Sequence, residues 1–441
     1  MNFFLTPIVL LYIRFFAKLQ LKKINPQIIG VGGSSGKTST AWLISGILGK
    51  KYEVKHSKGK NSETGIPLNI LNLDLKETGL RDWLRALIMA PIRVIADYKK
   101  YDIYVVEMGI DSPKKPKNME YLLGIVKPHM GVITNISVEH SFNFDPFVDS
   151  KDFTKRKEEI LSLIAKEEGQ LLKSINESGI SVVNLDDSLI SDLLPLKSKI
   201  ITVSAKLPSA DFYISSIGIS REQFEVNFTF LKDDYKITVP RPLPKYFAYS
   251  FVLSIAAAFS FGISVEDSID LLISNFELPP GRFSIFKGIK NTTIIDSSYN
   301  SSLEAAVGAL EVIPQISESR RKVGVLGDMR ELGSLSKIQH ELMAREIPKN
   351  LDFVILIGPM TKSYVAPVLE RSGFEYKSFE SYKEAKTQIE GLIKKDDVVL
   401  VKGSQNTLFL ERVVEMLLLD SKDSDKLCRR GKFWDVKRKQ S

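Results

Sequence analysis

Cysteine is nearly absent from this 441-residue chain, which holds only Cys428. One thiol can form neither an internal disulfide framework nor a cysteine-based zinc site, and such usage fits a reducing compartment. Histidine is scarce as well. The four histidines, at positions 56, 129, 140 and 340, show no metal-ligand spacing. A basic face is missing too. The formal charge is +8, yet residues 1–25 contribute +4, residues 421–441 contribute +5, and the body between them sums to −1. A near-neutral body with basic ends argues against a nucleic-acid partner, and the tail reads as a solvated end.

Long apolar runs are also lacking. Phe3 to Ile13 is apolar except for Thr6, but Arg14 and Lys18 interrupt its continuation to Leu21. A spanning helix wants about 20 mostly apolar residues, so this segment falls short. No small-residue cleavage site follows it, so a removable leader is not expected. Two readings stay open for residues 1–25: an interfacial anchor with leucines and aromatics in lipid, or a helix packed on the protein's own surface. Composition leans to the first. If the segment does span, its trailing cations put the body on the cytoplasmic side. The expectation is a cytoplasmic monomer in peripheral contact with the inner face of the membrane.

What is present begins with Gly33-Ser34-Ser35-Gly36-Lys37-Thr38. An apolar run, Ile28 to Val31, precedes it, and a helix-like segment from Thr40 to Leu48 follows. Strand, glycine turn, Lys-Thr and helix together grip a nucleotide triphosphate: backbone N–H groups face phosphate oxygens and the helix N-terminus adds positive charge. Lys37 would reach the β- and γ-phosphates, and Thr38 would ligate Mg²⁺. Val31 stands where the Walker pattern has its first glycine, so the loop is the shorter GxxGKT.

Val- and Ile-rich runs alternate with helix-length segments almost throughout, which predicts an α/β fold with mostly parallel sheets. Strands are expected at 27–31, 102–107, 130–134, 180–184, 199–203, 292–296, 322–326, 352–357 and 397–401. Helices are expected at 38–50, 152–166, 247–262, 302–313, 335–347 and 406–419. Residues 211–239 alternate with period two about a turn at Asp233-Asp234, predicting an antiparallel excursion. Leu278-Pro279-Pro280-Gly281 is a stiff elbow between two α/β patterns. The chain therefore divides into a hydrophobic and basic segment (1–25), a P-loop-type central ATPase domain (26–280), a C-terminal Rossmann-like α/β domain (281–420) and a basic tail (421–441).

Ligand crevices of open α/β sheets lie at the carboxyl ends of strands. Glu107 ends one such strand and could hold Mg²⁺ as a Walker-B acid does, or simply face water. Thr134, Asn135 and His140 follow another, although a lone histidine is more often structural. Lys157, within Lys155-Arg156-Lys157-Glu158-Glu159-Ile160, reads as part of a solvated charged face.

These strings, with Asn61 to Pro67, Asp296 to Asn300, Gly327-Asp328-Met329-Arg330-Glu331-Leu332-Gly333 and Lys402-Gly403-Ser404, resemble the Mur ligase family of ATP-dependent amide-forming enzymes. The resemblance runs from about Pro26 to about Leu418. Asp-x-x-Tyr-Asn and Gly-Asp-Met-x-Glu-Leu-Gly point to the branch that adds D-alanyl-D-alanine to a muramoyl peptide in peptidoglycan precursor synthesis. It implies that Gly33, Ser34, Ser35, Gly36, Lys37, Thr38 and Ser39 bind ATP, with Asn61 near the phosphates. Thr38, Glu107 and His140 would serve Mg²⁺, joined by Lys157 as a carbamate, which reverses the bland reading of that lysine. Arg282 and Asp296 would hold the nucleotide, beside Tyr299 and Asn300, while Asp328, Glu331, Lys402 and Ser404 would face the substrate. Lys37, Glu107, His140 and Lys157 would carry catalysis. His340 also falls on a family position, with a less defined role. The C-terminal domain would swing about the elbow to enclose an acyl phosphate.

Two departures stand out. Relatives carry an N-terminal UDP-sugar-binding domain for which residues 1–25 leave no room. Tyr246 and Ser250 replace the family's usual His and Asn at the expected adenine contact, which leaves that contact unassigned. Two further readings follow: the same chemistry on another carboxylate, such as a lipid-linked precursor or a poly-amino acid, or a membrane-associated nucleotide-binding regulator without ligase activity.

Overall fold

The computed structural model describes residues 6–75, 80–97, 99–274, 276–404 and 408–440. The first lobe opens with helix α1 (Thr6–Ile24), which turns at Asn25 directly into strand β1 (Gln27–Gly32). Helix α2 (Lys37–Leu48), β2 (Val54–His56), α3 (Gly65–Ile70), α4 (Leu80–Ala96), β3 (Ile103–Glu107) and β4 (Met130–Ile133) follow. Then come β5 (Ile180–Asn184), β6 (Lys199–Ser204), β7 (Phe212–Ile219), β8 (Phe224–Phe230) and β9 (Asp233–Val239). Among the described residues these strands form one sheet in the order β2-β3-β1-β4-β5-β6-β7-β8-β9. It is parallel from β2 to β7, and β8 and β9 add the antiparallel excursion.

The central strands are almost wholly buried because helices cover both sheet faces, which is why they read as continuous Val/Ile runs rather than alternating ones. Successive strands are added on opposite sides of β1, with β3 on one side and β4 on the other, so a crevice opens at its carboxyl end. Register does the rest: Val31 pairs with Glu107 and Gly32 with Ile133, so Gly33, Glu107 and Thr134 reach the same rim.

The second lobe holds β10 (Ser284–Lys287), β11 (Thr293–Ser297), β12 (Lys322–Gly327), β13 (Phe353–Ile357), β14 (Tyr376–Phe379) and β15 (Val398–Lys402). Their order is β10-β11-β15-β12-β13-β14, parallel except for the edge pair β10 and β11. Alternation divides its faces. Ile295, Leu326 and Leu400 join a core continuous with the first lobe, while Ile294, Val325 and Val401 join a separate cluster on the other face.

Several expectations change. The tight turn of the excursion lies at Leu231-Lys232, both at positive φ, with Asp233 already on the strand. The short β2, the edge strands β10 and β14, helix α4 and the helix Val265–Ser274 were not expected. Three or four residues leave little periodicity, and α4 is apolar on two faces with Pro91 inside it. The helix expected at 152–166 runs on to Lys173, and the one expected at 406–419 is Glu411–Leu417, residues 406 and 407 lying outside the described ones.

The basic tail is not a solvated end. Arg429 is buried, pairs with buried Glu411 at 2.7 Å, and donates to the carbonyls of Ser298 and Tyr299. At the other end, Leu10, Ile13, Ala17 and Leu21 seat the inner face of α1 on the body. No helix of the described residues is long and apolar enough to cross a membrane.

Candidate functional site

A cavity of about 860 Å³ lies between the carboxyl edges of the two sheets. Its floor is the loop from Ser34 to Gly36, shaped by Gly33 just before it. Gly33 has φ 111°, and a side chain there would strike Thr134 Oγ1 and come within 2.8 Å of the Asn135 carbonyl, so only glycine fits. Asn135 shapes the loop from the side, accepting the Ser34 N–H on its carbonyl at 2.7 Å and the Ser35 N–H on Oδ1 at 2.9 Å. Thr134 Oγ1 donates to the Ser35 carbonyl at 2.6 Å. Lys37 folds back over the loop, donating to the carbonyls of Gly33 and Ser34. It is a cation held at the mouth of a helix N-terminus.

Thr38 Oγ1 lies 3.0 and 2.9 Å from the two oxygens of Glu107, and Asn61 Nδ2 donates to the same carboxylate at 3.2 Å. From the opposite lobe, Arg282 Nη2 donates to Thr38 Oγ1 at 3.1 Å. Its guanidinium stacks on the Tyr299 ring, 4.7 Å from the centroid. The elbow behind it needs glycine: Gly281 has φ 74° and is hemmed in by Cys428 and Tyr299.

Further contacts join the lobes around the cavity, and two of them bear on the site. Ser35 Oγ lies 3.2 Å from Ser302 Oγ, the N-cap of the helix Leu303–Ser317. That helix therefore presents its N-terminus to the cavity across from α2. His140 Nδ1 bonds Glu331 and lies 3.7 Å from Asp111. Burial opposes a charged imidazole, but Glu331, Asp111 and Glu139 outweigh it and raise the His140 pKa.

Residues 31–258 match the Mur ligase middle domain and residues 281–405 the Mur ligase glutamate ligase domain. The middle domain alone spans more than half of the chain. The chain belongs to the Mur ligase family. Its relatives include the UDP-N-acetylmuramoyl-tripeptide–D-alanyl-D-alanine ligase of Bacillus subtilis, 25% identical over 91% of this chain and 78% of that protein. The Escherichia coli enzyme of the same name is 24% identical over 90% and 78%. Among solved structures, MurF of Thermotoga maritima in complex with ADP superposes with a TM-score of 0.70 at 21% identity, covering 98% of this chain and 85% of that one. MurF of Acinetobacter baumannii gives 0.70 at 20% identity, covering 89% and 77%.

The family motifs divide into those that face the cavity and those that do not. Ser34 to Ser39, Asn61, Glu107, His140, Arg282, Tyr299, Asn300, Glu331 and Lys402 line it. Lys402 donates to the Asn300 carbonyl at 2.6 Å, and burial next to Arg282 pulls its pKa down to about 7. Gly33, Lys157, Asp296, Asp328 and Ser404 are not among the lining residues. Asp296 is fully buried, accepts the Ser298 N–H at 3.0 Å, and leaves Oδ2 without a partner. Burial raises its pKa. Asp328 accepts the Thr361 N–H at 2.7 Å, and Ser404 Oγ accepts the Arg330 N–H at 3.0 Å and lies 3.3 Å from the Ser301 carbonyl. His340 is buried, accepting the Met329 N–H on Nε2, and is structural. Lys157 sits half-buried on the helix Phe153–Lys173.

Among the acids that sequence reasoning missed, two hold the phosphate loop. Glu139 accepts from Ser35; burial would raise its pKa, but Lys37, His140 and its hydroxyl partners lower it. Glu168 accepts the Gly33 N–H at 2.8 Å, and burial raises its pKa. A signal for Glu168 existed: it continues the buried stripe of Ile160 and Ile164, where a charge needs a partner. At the far end of the cavity stand Tyr246, Phe247, Tyr249 and Ser250, and Tyr249 donates to Asp186 at 2.6 Å.

Proposed function

We propose that this Mur ligase joins a muramoyl-peptide carboxylate to D-alanyl-D-alanine at the expense of ATP. One observation carries the reading: a single hydroxyl, on Thr38, is shared by the acid of one lobe and the arginine of the other. Nucleotide hydrolysis alone needs no second lobe on the phosphate loop, whereas protecting an acyl phosphate from water does. The printed names of the relatives supply the two substrates.

ATP brings the phosphoryl group, and Mg²⁺, when bound, neutralises charge that builds on its oxygens. The Thr38 hydroxyl and Glu107 carboxylate are adjacent oxygen donors of the kind Mg²⁺ takes, and would hold it. His140 serves a metal only after releasing Glu331 and its proton. A carbamate on Lys157 would add an anion; burial raises the pKa of Glu304 across the cleft, and the Lys157 ammonium acts in the opposite direction.

The chain's own groups then share the work. Lys37 swings from the loop carbonyls to the phosphates, and Arg282 adds positive charge from the far side. The N-termini of α2 and of the helix Leu303–Ser317 flank the same space, so two backbone dipoles favour the anion. Lys402, with its pKa near 7, can switch charge as substrate enters. The aromatic end at Tyr246 and Tyr249 fits the base in place of the family's His and Asn. Both walls come from one chain, which supports a monomer.

The test is ADP release with a muramoyl tripeptide and D-alanyl-D-alanine supplied together or singly. Release only with both is expected. Turnover without an acceptor would move the protein to the hydrolases, and turnover with another amine to a different branch of the family.

A further inference from the structure

Two helices of the first lobe keep an apolar stripe facing outward after the fold is complete. On α1, Ile8 is 64% exposed, Leu11 57% and Phe15 58%, with Leu19 continuing the line. On α4, Leu84 is 51% exposed, Ile88 64%, Ile92 45% and Ile95 71%. Each stripe recurs every three or four residues, so each is one face of its helix. The opposite faces are already used: Leu10, Ile13 and Ala17 of α1 and Ala86 and Ala90 of α4 are buried. The helices pack together, and their C-terminal ends are joined where Lys23 Nζ donates to the Val94 carbonyl at 2.8 Å.

Scattered exposed leucines need no explanation, but a run of large aliphatics over two adjoining helices does. The flanking charge narrows the choice of partner. Lys18 and Lys22 on α1 and Arg81 and Arg85 on α4 are exposed beside the stripes, and Asp82 is the one acid in the described residues of either helix. A second copy of the chain, docked symmetrically, would bring these same-sign residues together. An anionic surface would not. Neither helix can cross a bilayer, so they would lie in its plane.

We propose that α1 and α4 form a docking surface for an anionic lipid bilayer, with the aliphatic stripes in the acyl boundary and the four cations at the headgroups. This goes beyond the ligase reading and does not depend on it. Because α1 turns straight into β1, docking would fix the phosphate loop's own strand relative to the membrane.

The experiment is vesicle flotation of the full chain, using phosphatidylcholine with and without phosphatidylglycerol. Flotation with the anionic vesicles, falling as salt rises, is expected. Ile88→Glu and Phe15→Glu, both outward-facing, should each weaken it about tenfold without lowering the melting temperature. Lys18→Gln with Arg85→Gln, a milder pair, should remove the preference for phosphatidylglycerol. No flotation, or equal flotation with neutral vesicles, would overturn the proposal. So would a concentration-dependent dimer that Ile88→Glu splits, since that assigns the face to a second copy.

Discussion

The two rims of the cavity are built on opposite plans. On the first lobe, nearly every motif residue faces the ligand space: Ser34 to Ser39, Asn61, Glu107 and His140 all line it. On the second lobe the motifs split. Arg282, Tyr299, Asn300, Glu331 and Lys402 face inward, while Asp296, Asp328 and Ser404 are buried behind them and hold loops in place. A glycine loop at a helix N-terminus binds with its backbone and needs little behind it. A rim of long side chains must be pre-organised by other groups, and a share of its polar residues goes to that task. Motif membership therefore identifies a working unit, and geometry decides which member touches the ligand.

The largest effect should come from the rim that touches. Lys37→Ala is expected to cut ADP formation by about a thousandfold or more, with acceptor affinity little changed, because its charge acts on the transferring phosphoryl group. Single-turnover measurement checks this; a mutant that loses acceptor affinity but keeps its phosphoryl-transfer rate would place Lys37 elsewhere. Lys157→Ala should come next. It is expected to lose most activity and regain part of it with short carboxylic acids, which can stand in for a carbamate. Full activity without rescue would return Lys157 to the solvated face that its neighbours suggest.

Effects on the second lobe should appear as stability. Arg429→Ala removes the 2.7 Å partner of a buried carboxylate and should cost about 3 kcal/mol, read as a fall in melting temperature. Because Arg429 also holds the Tyr299 carbonyl, KM for ATP should rise with it. Asp328→Ala leaves the Thr361 N–H without its acceptor and should cost about 1–3 kcal/mol. If instead the acceptor's KM rises at an unchanged melting temperature, Asp328 touches substrate and the division between the rims is wrong.

Much of this was legible beforehand, and the rest was hidden for a physical reason. Apolar runs located the central strands, and the spacing of glycine, lysine and threonine located the phosphate loop. What escaped was direction. On β11, Ile294 and Asp296 share one face and Ile295 and Ser297 the other, an alternation visible in the sequence. Which face looks into the cavity is set by tertiary packing: Ser297 lines the cavity, while Asp296 is buried and the tail residues Cys428 and Arg429 bond the adjacent Ser298. Nothing local in Asp296-Ser297-Ser298-Tyr299 announces a segment some 130 residues away. The same holds for Glu139, whose partners Ser35 and Ser302 come from different lobes.

The smallest effect bears most directly on closure. His140 of the first lobe and Glu331 of the second form the charged tie between the rims. With the lobes together, the His140 pKa lies above its ordinary value, so closing binds a proton more tightly. The tie is fully present below the free imidazole's pKa of about 6.5 and is lost as pH rises through the higher, closed-state value. Both side chains keep some solvent contact, so it should be worth no more than about 1 kcal/mol. A distance probe across the cleft should therefore report a closed population that falls as pH rises through this window, and Glu331→Gln should flatten the response. A closed population that instead grows with pH would mean that the neutral imidazole is the form that holds the rims together. That outcome would leave closure to Arg282 on Thr38 and to the hydroxyl contacts between the lobes, rather than to this pair.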